Sequence, residues 1–416
     1  GVGTVLLTLS FAIGVAIPLL VFALAGREVA QRIRGFRKRE RMIRIIGGVS
    51  LIALAIGLAF NVPQMLQRLL PDYTSGLQQS LAESDAGTSA LGLGGLVTDE
   101  NRQLDNCTNG ATKLESCGSA PAIDGIDSWL NTPGGEAIDL AQLRGKVVLI
   151  DFWAYSCINC QRSIPHVVAW DQAYRDAGLR VIGVHSPEYA FEKERANVAA
   201  GAEDFGITYP VALDNKLATW TNYRNRYWPA HYLIDAEGTV RHISFGEGNY
   251  AVTEQLIREQ LRDADPSVDL PRATDTVDAT PEVGSTTPET FLGSSKDRNF
   301  AGPGEYRAGS REFNYPEKQS QDTFALKGPW TVETQYVTPQ GEDGASVRLS
   351  YRASEVRAVF AGTGSVELRR DGGSSQTLEI DGTPRSIQLL KSESPGDGSL
   401  ELRLSSGVQL YSFTFG

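Results

Sequence analysis

Three textures of hydrophobic and polar positions divide the 416-residue chain. The first is continuous. Thr4 to Ala25, TVLLTLSFAIGVAIPLLVFALA, carries no charge, and a second uncharged stretch runs from Ile45 to Gln67, densest over Ile45–Phe60. A membrane span needs about 20 mostly apolar residues, so residues 1–68 predict a transmembrane helical hairpin. The second texture alternates buried-type runs with amphipathic ones. VVLIDFW, LRVIGVH and YPVAL read as strands, and HYLIDAEGTVRHISF as a hairpin turned at Glu237-Gly238. CQRSIPHVVAWDQAYRDAG, EKERANVAAGAEDFG, NKLATWTNYR and EQLIREQLRDA read as helices, the first with Ile164, Val167, Val168 and Tyr174 as its apolar positions. This order predicts an α/β domain with a mixed sheet over residues 121–265. The third texture is a set of short alternating runs, WTVETQYV, SVRLSYRA, VRAVFAG, SVELRR, QTLEID, SIQLLK, SLELRLS and VQLYSFTF. Turn clusters such as GEDGAS, DGGSS, DGTPR and SPGDGS separate them, predicting an all-β sandwich or jelly roll of about eight strands over residues 289–416. Residues 69–120 and 266–288 lack a sustained period and are expected to be linkers.

Charge orients the hairpin. Residues 27–44 hold eight basic and two acidic side chains, within a chain of net charge −11. Short basic loops stay on the cytoplasmic side. The first span therefore enters from outside, the second exits, and everything after about residue 68 is expected to be extracytoplasmic, attached to the cell membrane. The alternative is a secretory signal over Arg32–Phe60, which sends the remainder the same way but lacks a clear A-x-A cleavage site. The chain opens on Gly1 and runs straight into apolar sequence, so a fragment of a longer protein is expected. The loop's surplus of positive charge leaves the remainder more acidic than the chain as a whole, which argues against a nucleic-acid partner.

The four cysteines form two pairs. Cys107 and Cys117 enclose nine residues, and outside the cytoplasm near cysteines usually pair. A structural disulfide is the favoured reading over free or exchanging thiols. Cys157 and Cys160 follow the strand VVLIDF in WAYSCINCQ. There Cys157 would begin a helix, where unpaired N–H groups and the positive dipole end favour a thiolate. Cys160, about one turn on, would resolve a mixed disulfide by intramolecular attack. Asp151, on the buried strand, is placed to exchange the Cys160 proton. Pro165 would kink the helix, and Trp228-Pro229, at the mouth of a strand, could hold backbone beside the sulfurs and pair with a substrate segment. Trp153 and Tyr155 would wall the site, Tyr155 with a partner contact or simple packing as equal alternatives. Ile158 and Asn159, between the cysteines, are candidates for substrate contact or tuning but do not fix the potential of the pair. His231 would tune the site, while His166, His185 and His242 are assigned structural roles.

WAYSCINC after VVLIDF, then WPAHYLID and a Gly-turned hairpin, resembles the thioredoxin fold over about residues 120–263, most closely the membrane-tethered TlpA-like thiol-disulfide proteins. LAQLRGKVVLIDFWA resembles the N-terminal signature of that branch. The resemblance implies that Cys157 attacks, Cys160 resolves, Pro229 is a cis proline and Asp151 is the buried acid. It implies no cofactor beyond the redox-active Cys157–Cys160 pair. One departure is Ser163, where TlpA-like proteins often carry a glutamate. Two spans, a TlpA-like domain and a C-terminal β domain together resemble the DipZ family. There a membrane part similar to CcdA, or to the centre of DsbD, feeds electrons to a fused thioredoxin domain. The resemblance implies a membrane dithiol upstream of Gly1 as electron donor and extracytoplasmic protein disulfides as acceptors, with cytochrome c maturation as one pathway. It also implies a carbohydrate-binding-module-like C-terminal domain.

Three rivals remain. Four cysteines match the count of a structural zinc site, but metal knuckles need two close pairs, and Cys107 and Cys117 are too widely spaced. Thiol peroxidases of this fold follow P-x-x-x-T-x-x-C, and those places hold Ile150 and Ala154 before Cys157, or Trp153 and Cys157 before Cys160. A cell-surface glycan-binding protein would use the β domain, where Trp330, Tyr336 and Tyr351 offer flat rings, although strand aromatics are more often core. An oxidase or isomerase with the same dithiol is the enzymatic alternative to a reductant.

Overall fold

A computed structural model describes residues 97–275, 286–296, 299–341, 345–371 and 373–416. The hairpin expected over residues 1–68 lies outside them, as do residues 276–285 of the second expected linker. Among the described residues no helix is long and apolar enough to cross a membrane.

One mixed sheet has the order β1-β4-β3-β2-β5-β6, from β1 (Ser128–Leu130), β2 (Val147–Trp153), β3 (Leu179–His185), β4 (Val211–Leu213), β5 (Ala230–Ile234) and β6 (Val240–Phe245). β2, β3 and β4 are parallel, and β1, β5 and β6 pair antiparallel with their neighbours. β2 is buried at every position, so its sequence is a continuous apolar run with Asp151 as the one charge inside it. The helices are α1 (Ile158–Tyr174), α2 (Arg195–Asp204), α3 (Ala218–Asn222) and α4 (Tyr250–Ala264). Ile164, Val167, Trp170 and Tyr174 of α1 face the core, whereas Val168 is only half-buried. Pro165 lies within α1 and does not end it.

Much of the first expected linker is not free chain. Residues 110–120 lie along β6, with Glu115, Cys117 and Ala120 donating their N–H groups to the carbonyls of Arg241, Val240 and Gly238. These bonds occupy an edge that would otherwise expose unpaired backbone. Leu104 and Cys117 are buried there, and the Arg224 guanidinium pairs with Asp105 at 2.6 Å. Cys107 and Cys117 are joined in a disulfide that closes this segment. The attachment relies on backbone bonds, which leave no hydrophobic period to read. Past α4 the chain also stays on the surface: Asp275 accepts from the Trp170 indole and pairs with His166 at 2.7 Å.

The C-terminal domain is β-rich: β7 (Thr290–Phe291), β8 (Gly309–Phe313), β9 (Thr323–Val332), β10 (Val337–Pro339), β11 (Ala345–Arg370), β12 (Ser375–Leu404) and β13 (Val408–Phe415). Separate short strands were expected here. Instead SVRLSYRA, VRAVFAG and SVELRR merge into β11, and QTLEID, SIQLLK and SLELRLS into β12. Their antiparallel pairing continues through irregularities such as Ala353/Glu355 and Phe360/Gly362, where the strand bends and keeps its partner. Gly362 has a φ of 77°, and a Cβ there would collide with the Gly407 carbonyl.

The two domains share apolar packing. Val359, Ala361 and Tyr411 of the β domain belong to the same buried cluster as Tyr155, Tyr189 and Phe191.

Candidate active site

β2 ends at Trp153, and four residues later Cys157 caps α1. The Cys160 N–H points at Cys157 Sγ, 3.5 Å away. The sulfur therefore sits where the first helical turn offers unpaired N–H groups and a positive dipole end. Cys157 is half-buried, Cys160 is fully buried, and both are free thiols. Burial, with the neighbouring Cys157 and the Asp151 charge, pushes the Cys160 thiol well up. The pair is thus asymmetric: an accessible sulfur at a helix start and a buried one that needs a proton acceptor.

A polar group behind the dithiol can fill that need. Asp151, Ser163 and His231 are each only 1 % exposed. Asp151 and His231 are register partners on β2 and β5. His231 Nε2 lies 3.4 Å from Asp151 Oδ1 and 3.3 Å from Ser163 Oγ, and the Tyr209 hydroxyl donates to Asp151 Oδ2 at 3.4 Å. Asp151 Oδ1 makes no aligned hydrogen bond, so the His231 approach is charge proximity and this oxygen keeps acceptor capacity. Ser163 is too short to replace a glutamate, and here it contacts the histidine.

Three contacts shape the loop ahead of Cys157. The Tyr155 N–H donates to His185 Nε2 at 3.3 Å, and Gln161 donates to the Tyr155 carbonyl at 2.9 Å. Ser156 donates to Glu192 Oε1 twice, from its N–H at 3.1 Å and its hydroxyl at 2.7 Å. Burial pushes His185 down to about 3, which keeps the imidazole neutral and able to accept. Burial pushes Glu192 up to about 7, against the donors from Ser156, Tyr189 and Glu188. Gly201 of α2 faces Tyr155, whose Cβ a methyl group at that position would overlap.

The Trp228–Pro229 peptide is cis, and the Trp228 carbonyl lies 4.0 Å from Cys157 Sγ. The Trp228 indole donates to the Ser186 carbonyl at 2.9 Å and packs on Trp220, while Tyr227 beside it is exposed.

Cys157, Cys160, Asp151, Trp228 and Pro229 thus converge, with His231 joining Asp151. The contacts foreseen for Trp153, Tyr155 and Ile158 need correction. All three are buried, Trp153 and Tyr155 within the core cluster of the domain, so the contact they offer a substrate is small. Asn159 is half-buried. The Cys107–Cys117 disulfide belongs to the β6 edge, two strands from β2. Trp330 and Tyr351 are buried in the β core and form no open sugar platform, while Tyr336 is half-buried and packs on Tyr411. Glu192 escaped the sequence reading. It lies 35 residues beyond Cys157 in a short loop helix, and its flanking aromatics were its one local signal.

Residues 123–243 match the AhpC/TSA family, and residues 287–416 match the family described as thioredoxin like C-terminal domain. Over its full length the chain is 55 % identical to protein DipZ of Mycobacterium bovis and to protein DipZ of Mycobacterium tuberculosis. It spans 60 % of the length of those relatives. A 145-residue stretch, 35 % of this chain, is 29 % identical to thiol-disulfide oxidoreductase YkuV of Bacillus subtilis and covers 95 % of it. The resemblance to DipZ therefore holds along the whole chain, and its α/β domain is similar to a thiol-disulfide oxidoreductase.

Proposed function

We propose that this chain, similar to DipZ throughout its length, is part of a membrane-anchored thiol:disulfide oxidoreductase that reduces protein disulfides outside the cytoplasm. The observation that carries the reading is the asymmetric dithiol, with Cys157 at the start of α1 and Cys160 buried near Asp151. The Cys157 thiolate attacks one sulfur of a substrate disulfide, forming a mixed disulfide and releasing the other sulfur as a thiolate. Cys160 loses its proton toward Asp151 and attacks Cys157, breaking the mixed disulfide. Two electrons pass to the substrate, which leaves as a dithiol, and Cys157–Cys160 is left oxidised. The Trp228 carbonyl, next to Cys157 Sγ, is available to pair with the substrate backbone.

The two uncharged segments and the basic loop between them support anchoring in the cell membrane with residues after about 68 outside. In this reading a dithiol of the membrane part re-reduces Cys157–Cys160. Cytochrome c maturation, in which apocytochrome thiols must be reduced before haem attaches, is a pathway such a reductant would serve. The peroxidase reading is disfavoured, because Ile150 and Ala154 stand where that chemistry uses proline and threonine.

Direction is tested by the equilibrium potential of Cys157–Cys160 in the full chain. A value near that of thioredoxin, about −270 mV, is expected, and a value above about −180 mV would make the dithiol an oxidant or isomerase.

A further inference from the structure

We propose that Glu192 is a positioning residue for Cys157, seated under the catalytic loop by the β domain, which thereby forms part of the thiol site. This rests on the oxidoreductase reading above. Glu192 is fully buried, and its carboxyl group accepts four hydrogen bonds. Ser156 supplies two to Oε1, and the N–H groups of Glu188 and Tyr189 supply two to Oε2 at 2.6 and 3.1 Å. Four donors on two oxygens suit an ionised carboxylate, which only accepts. The carboxyl group therefore ties the loop of residues 188–192 to the residue immediately before Cys157.

The β domain holds that loop from its other side at four consecutive positions. Lys296 pairs with Glu188 at 3.0 Å, and the Tyr189 hydroxyl donates to Ser412 Oγ at 2.8 Å. The Ala190 N–H donates to Gln335 Oε1 at 3.1 Å, and Phe191 meets the Tyr411 ring edge-on at 4.9 Å. Glu192, next in sequence, points back to Ser156. A displacement of the β domain would thus move the group that fixes the approach to Cys157.

Charge gives the arrangement a measurable signature. Glu188 and Tyr189 face Glu192 from its own loop, and Tyr155 and Ser156 from the catalytic loop. His185, which stacks on Tyr155, is held neutral. The β domain contributes Glu289, which lies near Glu188, Lys296 and Glu192, and Lys296, engaged with Glu188. Ionised Glu192, bonded to the residue before Cys157, brings a negative charge to the loop that carries the thiolate and opposes its formation, whereas the protonated carboxyl group does not. Glu192 exchanges its proton near neutrality, so Cys157 nucleophilicity should carry an added step there.

The test is the rate of iodoacetamide alkylation of Cys157 in the detergent-solubilised full chain between pH 5 and 9, where buried Cys160 reacts little. The native chain is expected to show an inflection near neutrality from Glu192. Glu192→Gln should lose it and react about threefold faster at pH 7.5. Superimposable profiles would overturn the assignment. If Glu192→Gln fails to fold, Ser156→Ala serves, because losing one donor should move the inflection upward, and an unmoved inflection overturns it. Tyr411→Ala should shift the native profile toward that of Glu192→Gln, and no shift would remove the β domain from the site. If these profiles respond while the native chain exchanges no disulfide, the oxidoreductase reading fails and the positioning of Cys157 by Glu192 stands.

Discussion

The chain's two cysteine pairs occupy one domain in opposite settings. Cys107 follows the C-terminal end of a short 3-10 helix, Arg102–Asn106, and joins Cys117 within a segment whose backbone is bonded to β6. Cys157 stands at the N-terminal end of α1 with a free thiol, and its partner is buried near a carboxylate. A helix end of one polarity favours a thiolate and the other disfavours it. Surroundings, more than spacing, separate a staple from a reactive pair. One pair has backbone partners to hold and the other has proton acceptors to use.

The largest expected effect breaks the reactive side. Cys157→Ser should abolish disulfide reduction, by about a thousandfold or more, because no other accessible sulfur can open the substrate bond. Cys160→Ser should still attack and then accumulate the mixed disulfide, visible as a mass shift. If Cys157→Ser retained native rates in an insulin-reduction assay, the division of roles between the pairs would collapse.

The staple should respond in stability and leave exchange intact. The disulfide spans a sequence separation of 10, and closing a loop of that size stabilises a fold by about 3 kcal/mol in the chain-entropy model. The Cys107→Ser/Cys117→Ser double variant should therefore lose about 3 kcal/mol in urea denaturation. Its rate of insulin reduction should match the native chain at temperatures where both are folded. A parallel loss of activity in the folded variant would show that this pair also carries electrons.

How far the sequence reached differs in the same way between the two regions. VVLIDFW, the helix start at Cys157 and the Trp228-Pro229 strand entry were legible because each is a local pattern with a local cause. The attachment of residues 110–120 was not, because backbone bonds to β6 leave no period in the side chains. The strand count failed at DGTPR and SPGDGS, which look like turns but lie inside β12, where pairing with β11 persists. Glu192 was hidden for a tertiary reason: its function depends on Ser156, 36 residues earlier, and on a second domain that packs on its neighbours. Trp330 and Tyr351 looked usable as ligand platforms, but alternation places them inward on the buried face of their strands.

The smallest effect probes the wall between the two pairs. His242 lies on β6, the strand that carries the stapled segment, and feels the charge of His231 behind the dithiol. It is fully buried, and neither ring nitrogen has a hydrogen-bond partner among the described residues. Burial pushes it down to about 4, with His231 adding to the shift. In the unfolded chain it titrates near 6.5. Between those values the unfolded state takes up a proton that the folded state refuses, so this histidine's contribution to stability falls as pH falls. His242→Leu removes that term and leaves an apolar side chain in an apolar place. The loss of unfolding free energy between pH 7 and 5.5 should be smaller in the variant by about 1 kcal/mol, measured by urea titration at both pH values. An unchanged difference would mean that His242 is protonated inside the fold, with a buried charge shared between the two cysteine regions and the wall between them no longer neutral.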